Sequence, residues 1–212
     1  MATDCAQVTR TGPAHWAPGL PIAPSVNPLL RNSRYIATST HTTIEWAAQH
    51  GYALLLPYNL GIDKKAELVT LYEYFADQHG ADPTTVSHVA TAVAQVADTR
   101  TEAVAAIRES GGRWCEGGLT NLGHDTLRSM PAYRAKLDEE QCRNKSPAHL
   151  IDGLSNAGPV GTVNDCVAWL DELVIRTGVK RTALFLDVSG NHQSTTENMT
   201  RFAEEVLPQL SA

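Results

Sequence analysis

Apolar positions along the chain alternate between strand-like and helix-like spacing, and this alternation predicts its elements. Tyr35-Ile36-Ala37 is a short β-favouring run. Hydroxyl residues follow at Ser39, Thr40, Thr42 and Thr43, and then an amphipathic helix pattern that Gly51 stops. Tyr52 to Pro57 is continuously apolar, as in a strand buried on both faces. Tyr58 to Gly61 reads as the loop at its carboxyl end. Asp63 to His79 is helical, with apolar residues at Ala66, Leu68, Val69, Leu71, Tyr72 and Phe75, and Gly80 ends it. Val86 to Ala97 alternates around β-branched residues and predicts one strand. Asp98 or Thr99 then caps a helix over 101–108.

Beyond residue 110 the pattern weakens. Gly111, Gly112, Gly117, Gly118 and Gly123 mark 110–160 as a flexible insertion, with a helix expected over Ala132 to Cys142. Periodicity returns at Thr162, which caps a helix running to Arg176 before Gly178. Arg181 to Asp187 is a strand, Ser189 to Asn191 a turn, and Thr195 or Thr196 starts a last helix reaching Leu207. The order β-α-β-α-β-α, insertion, α-β-α predicts an α/β fold with four parallel strands. Residues 1–33 hold Gly12, Pro13, Pro18, Gly19, Pro21 and Pro24 and read as a loop or tail before a domain over 34–212.

Composition narrows the function classes. The chain has 212 residues, 42% hydrophobic and 19% charged, with a net charge of −6 and no basic run. A nucleic-acid or membrane-surface partner is therefore not expected. No apolar stretch has the length of a membrane span and no signal peptide is visible, so a cytoplasmic location is expected. Cys5, Cys115, Cys142 and Cys166 lack C-x-x-C spacing, and the eight histidines show no H-E-x-x-H or facial-triad spacing. Reduced thiols and no metal site are the expectation, with Cys166 on an apolar helix face as core packing.

The stretch with most chemical potential is 37–45. A strand that runs through hydroxyls into a helix start offers free N–H groups, the positive dipole end and hydroxyl donors to an anion. The same residues also suit an ordinary capped helix, with Thr42-x-x-Glu45 as a capping box. His41 either adds positive charge there or stands in solvent.

Ser39-Thr40-x-x-Thr43-x-Glu45-Trp46-Ala47-Ala48-x-x-Gly51 resembles a segment of the bacterial luciferase-like flavin-dependent monooxygenases. The resemblance continues through Lys64-Lys65-Ala66-Glu67-Leu68, Leu71-Tyr72 and His79-Gly80. It resumes at Pro159-Val160-Gly161-Thr162, Cys166 and Thr177-Gly178, and ends at Arg201 to Pro208. It implies the carboxyl-terminal half of a (β/α)₈ barrel, since a whole one has eight strands and about 250 residues. It implies that Ser39, Thr40 and Thr43 bind a flavin phosphate, although Ser39 replaces an acidic residue of the luciferase α chains. Ala37 and Thr38 would lie beside the flavin ring through backbone contact, and Tyr58 would stack on it or wall it off. The alternative for Tyr58 is a half-exposed loop residue.

The implied cofactor is reduced FMN, with a deazaflavin as the other choice. The implied reaction is oxygenation of a small organic substrate by reduced flavin and dioxygen. The implied partners are a flavin reductase and a complementary barrel half, either a second copy or another chain. No residue of this chain matches the family's catalytic histidine and cysteine or its phosphate-clamping arginines. The insertion 110–160 falls where the family carries a lid. A flavin-binding protein without turnover, or a truncated remnant, is the second reading of the same resemblance.

Overall fold

The computed structural model describes residues 34–109, 147–187 and 190–210. Expectations for 1–33, for most of the insertion and for the helix over Ala132 to Cys142 lie outside these residues. The described strands and helices belong to the unit Tyr35–Ala212.

In chain order, the first elements are β1 (Tyr35–Ala37), α1 (His41–Gln49), β2 (Ala53–Leu56) and α2 (Ile62–Gln78). After them come β3 (Val89–Val93), β4 (Gln95–Val96) and α3 (100–109). The last elements are α4 (Pro147–Asn156), β5 (Val160–Gly161), α5 (Val163–Thr177), β6 (Arg181–Phe185) and α6 (His192–Arg201). Four strands form one parallel sheet in the order β1-β2-β3-β6. The four expected strand positions are all occupied. The single strand expected over Val86 to Ala97 is instead two. The chain leaves β6 after Ala94, and β4 pairs with β5 in a separate two-stranded parallel sheet.

Registration divides the sheet into two faces. Ile36, Leu54, Ala90 and Thr182 share one face, and Tyr35, Ala53, Val89 and Arg181 the other, because side chains alternate along each strand. The first face carries the core. Leu54, Leu56 and Ala90 pack against Ile44, Ala47 and Ala48 of α1, Leu68, Val69, Tyr72 and Ala76 of α2, and Leu173 of α5. The opposite face is covered in its middle, where Ala53, Thr91 and Val93 are buried, and open on its flanking strands, where Ala37, Arg181 and Ala183 are exposed and Phe185 is 51% exposed. Helices were expected on one face. α3 and α4 depart from this, gathering with Val93 and Val160 around the carboxyl end of β3. α4 and β5 also give regular structure to the end of the stretch expected to be an insertion.

Helix ends follow local rules. Thr162 and Asp165 form a capping box on α5, and Gly178 closes it in the left-handed conformation. Thr99 and Glu102 form the same reciprocal pair at the start of α3. α6 begins earlier than expected, at His192, because Asn191 accepts from the Gln193 and Ser194 amides.

Candidate functional site

Parallel strands place the loops after β1, β2 and β6 at one end of the sheet. The loop after β1 carries the hydroxyl cluster. Thr40, not Thr42, is the N-cap of α1, and its side chain makes no capping bond. The expected Thr42–Glu45 capping box does not form. Glu45 instead lies 3.5 Å from His79 Nε2 at the end of α2. The reason is local: the helix starts two residues earlier, so Thr43 stands where the box would need its carboxylate.

Three hydroxyls are tied together instead. The Thr40 amide donates to Thr38 Oγ1 at 3.1 Å, and Thr40 Oγ1 donates to Thr43 Oγ1 at 2.9 Å. Thr38 Oγ1 and Thr40 Oγ1 are 3.3 Å apart. Each hydroxyl has one proton. Thr40 gives its proton to Thr43, so Thr38 is the donor to Thr40, and the Thr43 proton is left to point elsewhere. The relay therefore ends at the Thr43 hydroxyl, in the first turn of α1, whose amides receive no capping bond from the Thr40 side chain. Ser39 and His41 are exposed beside it. Ala37 closes β1 on the open face and is exposed.

The loop after β2 carries Tyr58, which is half-buried. Its ring meets Phe185 edge-on at the end of β6, with centroids 5.4 Å apart. β3 lies between those strands in the sheet, so Tyr58 leans across it, packing against the Val93 cluster. The expected site residues thus form two groups on one end of the sheet: a hydroxyl group over β1 and an aromatic pair between β2 and β6.

Two buried groups near this end were not foreseen. Lys65 of α2 is fully buried, and its ammonium donates to the Leu60 carbonyl in the Tyr58 loop. Burial pushes its pKa down to about 8. Asn198 of α6, 1% exposed, donates to the Ala94 and Leu186 carbonyls and accepts from the Val96 amide. Lys65 had one legible signal, since it continues the stripe of Ile62, Leu68, Val69 and Tyr72. Asn198 had none in its polar surroundings. Cys166 is buried as expected, and burial pushes its thiol up to about 12. Among the described residues no three His, Cys, Asp or Glu side chains converge as metal ligands. No described helix is long and apolar enough to cross a membrane.

The sequence profile of the luciferase-like monooxygenases matches residues 14–181. The alkanal monooxygenase alpha chain of Photobacterium leiognathi is 25% identical over 173 residues, covering 79% of this chain and 49% of that relative. The chain thus spans about half the length of the curated relatives it matches. Among solved structures, one is the oxygenating constituent of 3,6-diketocamphane monooxygenase from Pseudomonas putida, in complex with FMN. It superposes with a TM-score of 0.54 at 18% identity, over 84% of this chain and 48% of that one. The coenzyme F420-dependent tetrahydromethanopterin reductase of Methanopyrus kandleri gives 0.55 at 14% identity, over 84% and 50%.

Proposed function

Because the chain belongs to the luciferase-like monooxygenase family, we propose that it binds reduced FMN at the carboxyl ends of β1 and β2 and takes part in oxygenating a small organic substrate. Its fold is a partial (β/α)₈ barrel of luciferase type, in which this end of the strands is where function gathers. A barrel half supplied by a second copy or another chain would complete the enclosure, and a flavin reductase would supply the reduced cofactor.

The observation that carries the proposal is the start of α1, where Thr40 makes no side-chain capping bond, with the Thr38–Thr40–Thr43 relay leaving the Thr43 proton to a further acceptor. A phosphate accepts such donors and is favoured by the positive end of the helix dipole. Ser39 adds a further hydroxyl at the same edge, while Ala37 and Thr38 offer backbone beside the ring. The Tyr58–Phe185 pair lies on the same end of the sheet and presents apolar ring surface to an isoalloxazine. When bound, the flavin supplies the redox and oxygen chemistry. The chain's residues hold the phosphate, wall the ring and exclude water.

Flavin titration tests this. Thr40→Val and Thr43→Val keep side-chain shape but break the relay. A hydrogen bond to a charged phosphate contributes about 1.5–3 kcal/mol, so Thr43→Val, which removes the donor, should weaken FMN by roughly one to two powers of ten, and Thr40→Val, which removes only the bond that orients that donor, by less. Riboflavin, which lacks the phosphate, should bind the parent and both variants alike. Equal affinity of the parent for FMN and riboflavin would end the proposal. A deazaflavin arm in the same titration decides between the two cofactor types.

Binding without turnover is the second reading. The half-exposed Phe185 and exposed Ala37 favour it, because a reduced flavin meeting dioxygen needs a dry site. Product formation with reduced flavin, present or absent at equal cofactor occupancy, separates the two.

A further inference from the structure

Lys65 stands where an apolar side chain would ordinarily be. It lies on the buried stripe of α2 with Ile62, Leu68, Val69 and Tyr72 and has no exposed surface. Its neighbour Lys64 keeps most of its side chain in water. Burying an ammonium is costly, and the first turn of a helix disfavours a cation further. Burial lowers its pKa, and among the described residues no carboxylate forms an ion pair with it. Among the described residues the compensation is one hydrogen bond from Nζ to the Leu60 carbonyl, plus the face of Trp169 from α5, whose ring centre is 5.9 Å away. Methionine or leucine would fill the same volume without this cost, but neither would reach a carbonyl with a donor.

That carbonyl belongs to the loop bearing Tyr58. At the near end of the loop, Leu56 O accepts the Thr91 hydroxyl of β3 at 2.7 Å. The Leu60 amide turns back to Pro57 O at 3.3 Å. Lys65 fastens the far end. Tyr58 is thus held between two pinned carbonyls, with its ring against Phe185.

We infer that Lys65 is a positioning residue for the cofactor site: through the Leu60 carbonyl it fixes the Tyr58 loop, and thereby the aromatic wall across the mouth of the open sheet face. The inference rests on the reading of that face as a flavin site.

The test pairs Lys65→Met with Tyr58→Ala in a double-mutant cycle on the whole chain, read by riboflavin and FMN titration and by amide hydrogen exchange. Lys65→Met should speed exchange at residues 58–60 at least tenfold while β2 and β3 stay protected. It should weaken riboflavin and FMN by the same factor, about tenfold, because the phosphate end is untouched. In the Tyr58→Ala background it should weaken neither further. Lys65→Arg, which keeps a donor, should restore most of the loop protection. A Lys65→Met effect equally large without Tyr58, or unchanged exchange at 58–60, would overturn the role. If the parent binds no flavin, the site reading fails, and the exchange arm still shows whether Lys65 holds the loop.

Discussion

A half-buried histidine beside the core shows how much one residue can weigh. His88 precedes β3, and its Nδ1 accepts the Leu54 amide at 2.9 Å while its ring meets Tyr72 edge-on at 4.6 Å. An accepting Nδ1 places the proton of the neutral ring on Nε2. Burial pushes the pKa down from 6.5 to about 4. The folded state therefore disfavours the charged ring. Neutral His88 contributes its full share above about pH 6.5, and that share is lost as pH falls from 6.5 towards 4. Allowing for partial exposure, the loss is about 1–3 kcal/mol. Thermal melts at pH 7 and 4.5 should show a drop in Tm that is clearly smaller in His88→Gln. An equal drop in both would remove His88 as its cause. The sequence could not separate His88 from the surface histidines, because only the fold sets its burial. Thr40 and Thr43, by contrast, were legible as a hydroxyl cluster, although the cap of α1 is Thr40 and not the expected Thr42. Two candidate caps two residues apart fit the same pattern.

At the scale of elements, local signals carried far and distant ones did not. Thr162, Asp165 and Gly178 lie within or next to the helix they bound, so α5 could be read from its own residues. The break between β3 and β4 could not. It is made by Asn198, about a hundred residues downstream, which takes the Ala94 carbonyl and the Val96 amide away from sheet pairing. The same amide group donates to Leu186 O, tying the end of β6 to α6. One buried side chain thus satisfies three backbone groups where the strand changes partner. Asn198→Ala leaves all three unmet, at about 1–3 kcal/mol apiece before relaxation. Asn198→Asp keeps the shape but presents acceptors to two carbonyls. Both variants should lower stability in urea melts by roughly 3 kcal/mol or more, with Asp no better than Ala. If Asp were near the parent, donation to Ala94 and Leu186 would not be what holds the bend.

For the whole molecule, the open sheet face and its edges are the governing feature. Among the described residues β1 pairs only with β2, and β6 only with β3, so each presents a row of backbone groups at the sheet's rim. Large apolar side chains are exposed on these edge strands: Tyr35 of β1 and Phe185 of β6. Parallel sheets are normally covered on both faces, and exposed edges invite pairing. The alternation of strands and helices made the α/β class with parallel strands legible, since each β-α unit carries its own period, and the barrel came from the resemblance to the family. What covers the inner face was not legible, because covering residues need share no pattern with those they cover. We expect this face to be occupied in solution by a barrel half, in a second copy or another chain, with parallel pairing at β1 and β6. Light scattering should then give a mass above one chain, or a complex with a captured partner half. Arg181→Glu and Phe185→Glu on the open face should disperse that assembly and raise dye binding to apolar surface. A monodisperse single chain with a cooperative melt, unchanged by Phe185→Glu, would mean that the face needs no partner, and the site would then have to work open to water.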